Sequence, residues 1–362
     1  MKEIAIIGAG PIGCYTAKLL AEKGFNVTVF EEDKKIGLPI RCTGLLSQKM
    51  SFLKIPENII LNELNKVQIH SKNNKIEIKL NRNELVICRE KFDNYLYNLA
   101  KEKGVKFYLG YKFKKCENNE IIFENGFCFK YDYLIGADGP NSEIRKIINP
   151  NYVNKKTNNK FWIGVQSDVN GNFNKNEFQV YLGQEFKDFF GWEVPINNKT
   201  ARVGFASYKR NKLGENKLCI KNLSGGLIPV YEPNLIVIKN NIALVGDAAT
   251  HVKATTGGGL IQGLVSSKEI VEKLSKGNYN TLYNKDLKIH KVFYIHLILR
   301  KIFNQFSDKD YDYLLKLCNK EKIKKIIGKS NRENPKKMIL NIIYNEPRFL
   351  KYLVKIRLKD FL

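Results

Sequence analysis

The sequence lacks the marks of several protein classes. Its seven cysteines are odd in number and include no Cys-x-x-Cys pair, which argues against a disulfide framework, a zinc ribbon or a closely spaced iron–sulfur motif. No apolar run reaches about 18 residues, so we expect no segment that crosses a bilayer. No internal repeat and no low-complexity linker is present. These absences favour a protein of the reducing cytosol, and contact with the inner membrane surface stays open.

Acidic residues are also scarce relative to basic ones. The chain has 36 Asp and Glu against 61 Lys and Arg, which gives a formal net charge of +25. Such a surplus attracts nucleic acid, an acidic lipid surface or an acidic partner protein. The lysines are spread along the whole chain, however, so compositional drift explains the charge equally well. The length of 362 residues and the apolar fraction of 43% indicate a globular protein of two domains.

The first 31 residues have the pattern of a dinucleotide-binding site. A short apolar strand runs into GAGPIG at residues 8–13, and a helix and a second strand ending at Glu31 follow. Gly8 allows the tight turn, Gly10 lets the backbone approach a pyrophosphate, and Gly13 lets helix and strand pack closely. Glu31 is suited to accept hydrogen bonds from ribose hydroxyls. Because an acid repels a 2′-phosphate, the site favours FAD or NAD over NADP.

Four later segments decide which dinucleotide fits. They are LPIRCTGLLS (38–47), ICREKFDNYLYNLAKEKG (87–104), YDYLIGADGPNSEIRK (131–146) and GDAATHVKATTGGG (246–259). With the first site, they resemble the FAD-binding pattern of the geranylgeranyl reductase family, which belongs to the flavoproteins that include p-hydroxybenzoate hydroxylase. The resemblance covers roughly residues 1–275. Within the family, the sequence looks most like the archaeal reductases of digeranylgeranylglycerophospholipids.

The LPIRCTGLLS segment carries the most family-specific part of this resemblance. The reductases have a P-x-x-C-x-G-x-x-S pattern there, and Pro39, Cys42, Gly44 and Ser47 match it. The resemblance places Cys42 near the flavin ring. Cys42 is therefore a candidate catalytic residue that relays a proton or positions the substrate alkene, with simple packing beside the flavin as the alternative.

The resemblance implies an α/β fold. It has a Rossmann-like FAD-binding domain of the p-hydroxybenzoate hydroxylase type, an antiparallel-sheet substrate domain and a helical C-terminal region. We expect the FAD-binding domain to be discontinuous, at residues 1–62, 84–150 and 225–285. Alternating strand patterns at 63–83 and 151–224 predict the substrate domain. Residues 286–362 form the basic helical region, whose helices either lie on an anionic membrane or pack with solvated basic faces.

The resemblance also implies which residues contact FAD. An arginine that opens a helix, such as Arg89, can bind a pyrophosphate bidentately. Asp247 follows a strand and can hold ribitol hydroxyls, while the glycines at 257–259 let the flavin ring approach backbone N–H groups. The predicted FAD contacts are Gly8, Gly10, Ile12, Gly13, Glu31, Cys42, Thr43, Leu45, Arg89, Phe113, Asp247, Gly258, Gly259 and Leu260.

Several residues near these segments have two readings. His251 is a candidate general acid or base, because an unperturbed histidine has a pKa near neutrality. The related hydroxylases, however, carry their histidine one position earlier, where this chain has Thr250. We therefore interpret His251 as a loop residue that is hydrogen-bonded to backbone. Lys253-Ala254 replaces a region where the reductases have proline, so the local loop shape is open. Asp138 either closes over the cofactor or belongs to a structural turn.

The segment DFFGWEVP suggests how a substrate binds. The reductases have an aromatic-x-Trp-x-Phe-Pro run here, led by tyrosine; this chain has Phe190 and Val194 in its aromatic positions and keeps Trp192 and Pro195. Large aromatic side chains over a flavin suit an isoprenoid chain, which has few polar groups. Phe190 and Trp192 are thus predicted substrate contacts, with the core of a β-sheet as the alternative.

The resemblance implies an FAD-dependent reductase of isoprenoid (geranylgeranyl) double bonds in archaeal-type membrane lipid precursors. Its electron donor would be NAD(P)H, a ferredoxin or another small carrier, and we expect no metal ligand set. The first alternative is an FAD-dependent monooxygenase that hydroxylates an aromatic substrate. The second is a basic flavoprotein that acts on RNA; because lysine dominates and is dispersed, we expect no nucleic acid partner.

Overall fold

The fold is described from a computed structural model, which covers residues 1–47, 52–154, 161–208, 223–277, 281–330 and 335–355. Parts of the expected substrate domain and the last seven residues of the expected C-terminal region lie outside these ranges. The strands are β1 (Glu3–Ile7), β2 (Asn26–Glu31), β3 (Leu45–Ser47), β4 (Ile60–His70), β5 (Lys75–Ile87), β6 (Lys106–Leu109), β7 (Phe113–Glu117), β8 (Glu120–Phe123), β9 (Cys128–Lys130), β10 (Tyr133–Gly136), β11 (Phe161–Asn170), β12 (Glu177–Tyr181), β13 (Gly191–Pro195), β14 (Thr200–Ser207), β15 (Ser224–Pro229), β16 (Ile236–Lys239), β17 (Ile242–Leu244) and β18 (Thr281–Tyr283).

Helices connect the strands and form the C-terminal part of the described chain. They are α1 (Pro11–Ala21), α2 (Arg89–Lys101), α3 (Glu143–Ile148), α4 (Pro150–Asn154), α5 (Leu260–Lys276), α6 (His290–Phe303), α7 (Asp308–Cys318), α8 (Glu321–Lys329) and α9 (Lys336–Asn345). A 3₁₀ turn at Gly246–Ala249 follows β17, and another at Pro347–Lys355 follows α9. Within the described ranges, no helix is both long enough and apolar enough to cross a membrane.

A seven-stranded sheet forms the first layer, in the order β18-β16-β17-β10-β1-β2-β6. The five strands from β17 to β6 run parallel, so their carboxyl ends lie at one edge. The loops after β1, β2, β10 and β17 therefore meet at this edge, which is where ligands bind in such sheets. Ile4 to Ile7 of β1 are apolar and buried, as expected for a strand with both faces covered, and α1 buries Cys14, Ala17 and Leu20.

An eight-stranded, mostly antiparallel sheet forms the second layer, in the order β15-β11-β14-β13-β12-β4-β5-β3. Only β12 and β4 run parallel within it. Together with the helices α6 to α9, this arrangement confirms the predicted fold class. The expected domain boundaries at residues 63, 83 and 225 fall inside β4, β5 and β15. The division into domains stays a prediction. A substrate domain that keeps these strands whole would have to extend a few residues beyond each predicted boundary.

Candidate functional site

The turn between β1 and α1 can exist only with glycine at two positions. Gly8 has a φ of +105°, and a Cβ on it would lie 2.4 Å from the carbonyl oxygen of Ala137. A Cβ on Gly13 would lie 2.0 Å from the carbonyl oxygen of Gly8. At Gly10, by contrast, a Cβ would meet nothing within 4 Å, and no side chain caps the helix there. The first turn of α1 is thus open to an anion.

Glu31 stabilises this turn from the end of β2. Its Oε2 accepts a hydrogen bond of 2.7 Å from the Ala9 N–H, and its Oε1 accepts one of 3.0 Å from the Asp33 N–H. Burial raises the pKa of Glu31, although these two N–H groups oppose the shift. A carboxylate has about four acceptor positions, so Glu31 can hold the turn and still accept from a ligand hydroxyl.

A second turn, at Gly246–Ala249, lies against the first. A Cβ on Gly246 would lie 3.1 Å from Ile12, and one on Gly263 of α5 would lie 2.7 Å from Cδ1 of Ile12. The predicted contact residue Ile12 thus joins α1 to the second turn and to α5. Arg145 supports this turn from α3 by donating to the carbonyl oxygens of Asp247 and Ala248 at 3.3 and 3.1 Å.

Asp247 projects from the second turn toward the start of α5. A Cβ on Gly259 would lie 3.1 Å from Oδ1 of Asp247. Gly259 precedes the first residue of α5, Leu260, and no side chain caps this helix. Burial raises the pKa of Asp247 to about 6, and the charges of Arg89 and Arg145 act against that rise. The second turn therefore combines a carboxylate with an open helix N-terminus.

Arg89 connects this carboxylate to Cys42. Its guanidinium donates to both carboxylate oxygens of Asp93, at 3.1 and 3.0 Å, and interacts electrostatically with Cys42 and Asp247. The Cys42 Sγ accepts a hydrogen bond of 3.4 Å from the Gly44 N–H. Asp93 is not among the predicted site residues, although its spacing of four residues from Arg89 on one helix face indicates the pair.

Three other predicted FAD contacts lie in different surroundings. The Thr43 hydroxyl donates to Oε1 of Gln166 at 2.7 Å, which ties the Cys42 loop to the eight-stranded sheet. Leu45 pairs with Val86 and packs into the apolar cluster of that same sheet. Phe113 begins β7 and packs against the core of the first layer. It comes two residues after Tyr111, whose N–H donates to the Glu31 carbonyl at 2.8 Å.

Asp138 has a structural role at the end of β10. Its Oδ2 accepts hydrogen bonds from the N–H groups of Glu143 and Ile144, at 2.7 and 3.2 Å. Ser142 caps the same helix by accepting from the Arg145 N–H at 2.8 Å. Burial raises the pKa of Asp138, and its Oδ1 has no hydrogen-bond partner among the described residues. Oδ2 thus belongs to the structural turn, and a contact of Asp138 with the cofactor stays a prediction.

An aromatic cluster lies beside residues 254–259, which precede α5 and which we call the glycine turn. Phe189 stacks on Phe190 with ring centroids 4.5 Å apart, and Phe190 meets Trp192 edge-on at 5.7 Å. A Cβ on Gly257 would lie only 3.0 Å from Cζ of Phe189. Phe190 and Trp192 are only partly buried, and Nε1 of Trp192 has no hydrogen-bond partner among the described residues. We call this group the aromatic wall, formed by Phe189, Phe190 and Trp192.

His251 is fully buried and holds the loop in place. Its Nε2 lies 2.8 Å from Oδ1 of Asn284, and its ring stacks on Phe293 at 5.4 Å. Burial lowers the pKa of His251 to about 4. Its main-chain N–H donates to the Gly246 carbonyl, and among the described residues the side chain has Asn284 as its partner in place of the expected backbone group. A neutral imidazole in this position stabilises the loop.

Arg300 explains the loop at Lys253-Ala254. This arginine of α6 is 3% exposed and donates to the carbonyl oxygens of Ala254, Thr255 and Phe189, at 2.9, 2.9 and 3.2 Å. Its charge therefore faces the interior, which decides in favour of a packing role for α6. This role of Arg300 is not among the predictions from sequence. The helical spacing of Phe293, His296 and Arg300 is the signal that indicates the buried face of α6.

The comparisons with known proteins agree with this geometry. Residues 1–218 match the family described as FAD binding domain. The chain belongs to this family. The flavoprotein is 26% identical to a digeranylgeranylglycerophospholipid reductase of Methanocaldococcus jannaschii, over 97% of each chain. It is 27% identical to an uncharacterized protein of the same organism, over 90% of each chain. The predicted family resemblance and the predicted cofactor, FAD, are thereby confirmed.

A solved structure extends the agreement to the whole fold of the flavoprotein. A geranylgeranyl bacteriochlorophyll reductase-like protein of Thermoplasma acidophilum superposes with a TM-score of 0.76 and 20% sequence identity. The superposition covers 98% of this chain and 99% of that chain. The C-terminal helices therefore belong to the shared fold.

The residues present fit FAD on structural grounds. The N-termini of α1 and α5 lack a side-chain cap, and each helix is directly preceded by a glycine, Gly10 or Gly259. The first, at Gly10, has open space where a Cβ would stand, as the approach of a pyrophosphate requires. The second lies beside the Asp247 carboxylate. The two helix N-termini thus offer N–H donors to phosphates and to the flavin ring. The carboxylates of Glu31 and Asp247 offer acceptors to ribose and ribitol hydroxyls.

Proposed function

We propose that this flavoprotein is an FAD-dependent reductase that saturates geranylgeranyl double bonds of archaeal-type membrane lipid precursors. The observation that carries the proposal is the contact between the aromatic wall and the glycine turn, at Gly257 and Phe189. Phe189 itself is buried, but it stacks on the partly exposed Phe190, so this contact brings the aromatic wall beside the expected flavin position, where an apolar chain can lie. The name of the Methanocaldococcus jannaschii reductase, matched over 97% of this chain, supports the same substrate class.

The proposed assignment of FAD contacts follows the two open helix N-termini. The first turn of α1 and Arg89 would hold the pyrophosphate, and Glu31 would hold the adenosine ribose. Asp247 would accept from ribitol hydroxyls, and the N–H groups at Gly259 and Leu260 would stabilise negative charge on the ring. When bound and reduced, FAD supplies a hydride to one carbon of an alkene.

The protein's own side chains would orient the alkene and exclude water. Phe190 and Trp192 are proposed to bind the isoprenoid chain with their rings, because both are only partly buried. The second alkene carbon needs a proton, and the Cys42 thiol is proposed to relay it or to position the alkene. Arg89 lies beside this thiol and interacts with it electrostatically, which would help to hold the Cys42 loop in place.

The proposal leaves the reducing partner as a class of small electron carriers. The sequence has one complete dinucleotide pattern, so we expect no separate domain for a nicotinamide cofactor. The candidate donors are NAD(P)H, a ferredoxin or another small carrier. The net charge of +25 suits an acidic carrier protein without selecting it.

The test is anaerobic incubation of the dithionite-reduced flavoprotein with a geranylgeranylated glycerophospholipid, followed by mass spectrometry of the lipid. We expect mass gains in steps of two hydrogens, and a large loss of the product for Trp192→Ala. The matched control is Trp162→Phe, because Trp162 is fully buried behind the wall. Unchanged lipid from protein that holds reduced FAD would refute the proposal. A product that carries oxygen, formed only with O₂, would favour the monooxygenase.

A further inference from the structure

Large apolar side chains are exposed along α9 and the turn that follows it. Leu340 is 57% exposed, Tyr344 is 85% exposed and Leu350 is 45% exposed. Leu340 and Tyr344 are four residues apart on one helix and therefore share a face. We call these three residues, with Lys336 and Lys337, the α9 surface. Such an exposed apolar group on a protein surface marks an interaction site.

The opposite side of this segment is anchored to the protein. Tyr352 is 5% exposed, and its hydroxyl donates to the Asp310 carbonyl at 3.1 Å. Phe349 packs against two apolar clusters, which contain residues of α7 and of the eight-stranded sheet. Glu346 accepts hydrogen bonds from Lys320 and Arg348. The segment thus has a fixed inner side, and Leu340 and Tyr344 face outward.

The surroundings of this surface are strongly basic. Residues 320–355 contain eleven Lys or Arg and three Glu, whereas the whole chain has 61 basic and 36 acidic residues. Lys336 and Lys337 are exposed and lie one turn before Leu340. Basic residues beside Leu and an aromatic are typical of helices that lie in the interface of an anionic membrane.

We propose that the α9 surface docks this flavoprotein on an anionic lipid bilayer. The apolar side chains would insert among the lipid headgroups, and each nearby Lys would add electrostatic attraction to anionic lipid. The preference for a bilayer over an acidic protein rests on the proposed function, since a lipid substrate is held in a membrane. The surface lies on α9, apart from α6, whose arginine faces the interior.

The test uses the full FAD-loaded chain and its cosedimentation with vesicles of phosphatidylcholine, with and without phosphatidylglycerol. We expect binding only to the anionic vesicles. The triple variant Leu340→Ser, Tyr344→Ser, Leu350→Ser should weaken binding by about tenfold or more, and so should Lys336→Glu with Lys337→Glu. Flavin absorbance and circular dichroism of each variant check that it is folded.

Matched controls change exposed residues elsewhere. Leu61→Ser with Ile147→Ser removes exposed apolar side chains, and Lys106→Glu with Lys114→Glu reverses the same number of charges. Both control pairs should bind anionic vesicles as the unchanged protein does. Equal losses in the controls, or no binding of the unchanged protein to anionic vesicles, would overturn the proposal. So would α9 variants that keep full vesicle binding but lose an acidic protein partner.

A second readout separates this proposal from the proposed function. The α9 variants should reduce detergent-dissolved lipid at the normal rate and vesicle-embedded lipid several-fold more slowly. If no form of the protein reduces any geranylgeranyl lipid, the proposed function fails while the vesicle result still decides the α9 surface.

Discussion

Gly259 and Asp247 face each other across the start of α5, with only 3.1 Å between the position of a Gly259 Cβ and Oδ1 of Asp247. This contact holds a carboxylate beside an uncapped helix N-terminus. The pair can serve FAD because glycine adds no side chain between them. The same short distance makes the site sensitive to replacement of Gly259 even by alanine.

Gly259→Ala should weaken FAD binding by about tenfold or more, because the added methyl group crowds Asp247 and Val252 and shifts one of them. Fluorescence titration of the FAD-free protein measures the dissociation constant. The control is Gly277→Ala, at the other end of α5, where a Cβ meets nothing within 4 Å. Its φ of +76° should lower stability by about 1 kcal/mol and leave FAD affinity unchanged. Equal FAD affinity of the two variants would contradict the prediction.

Asp247→Asn should stabilise the FAD-free protein at neutral pH. Burial raises the pKa of Asp247 to about 6, whereas an unfolded Asp titrates near pH 4. The native carboxyl therefore binds more protons in this window, and its contribution to the free energy of unfolding falls as pH rises from about 4 to 6. Removing it should raise the free energy of unfolding at pH 7 by up to about 3 kcal/mol. Urea denaturation at pH 4 and pH 7 measures the change, which should vanish at pH 4.

His251→Gln should have the opposite pH dependence. Burial lowers the pKa of His251 to about 4, below its unfolded value near 6.5, so its contribution to stability is lost as pH falls through this window. Glutamine can still donate to Asn284 and does not titrate. The variant should thus lose less stability than the unchanged protein between pH 6.5 and pH 4, by up to about 3 kcal/mol. A parallel pH dependence of the two proteins in urea denaturation would rule out this role.

Arg300→Met should destabilise the protein by about 3–5 kcal/mol, because the buried carbonyls of Ala254, Thr255 and Phe189 lose their donor. FAD affinity and lipid reduction should fall together, since these carbonyls belong to the glycine turn and the aromatic wall. The matched control on α6 is Lys291→Met, at an exposed position, with an expected change within about 0.5 kcal/mol. Chemical denaturation of both variants provides the measurement, and a stability loss in Arg300→Met no larger than in the control would be incompatible with this role.

Cys42→Ala should keep FAD binding and slow lipid reduction by about a hundredfold or more, the usual contribution of a positioned proton donor. The rate of product formation and the FAD dissociation constant are measured on the same preparation. Cys128→Ala serves as the control, because Cys128 is exposed on β9. An unchanged rate would leave Cys42 with a packing role beside the flavin.

The sequence predicts the turn between β1 and α1 because the spacing of its glycines is a local pattern. Gly13 is glycine because of a local contact with the Gly8 carbonyl, whereas a Cβ on Gly8 is excluded by Ala137, far along the chain. The apolar run from Ile4 to Ile7 lies within β1. Arg300 is different. Its three carbonyl partners lie 45 to 111 residues away in sequence, and no local pattern distinguishes a buried arginine on a basic helix from a solvated one.

His251 illustrates the same limit from the other side. Its sequence neighbours suggest chemistry, but burial lowers its pKa, and the hydrogen bond with Asn284 offsets this shift only in part. Asn284 and the stacked Phe293 follow more than 30 residues later. Burial of this kind depends on tertiary packing. The expected FAD contacts around Asp247 stay predictions until FAD binding to the variants is measured.

The most direct test of the proposed function is reoxidation of the reduced flavin by lipid in the absence of oxygen. Absorbance of the dithionite-reduced flavoprotein is followed in an anaerobic stopped-flow instrument after mixing with geranylgeranylated glycerophospholipid. We predict that oxidised flavin returns in proportion to the alkene reduced, and that Trp192→Ala slows this return while holding FAD. A flavin that stays reduced with the lipid, and reoxidises only when oxygen is admitted, would contradict the proposed reductase.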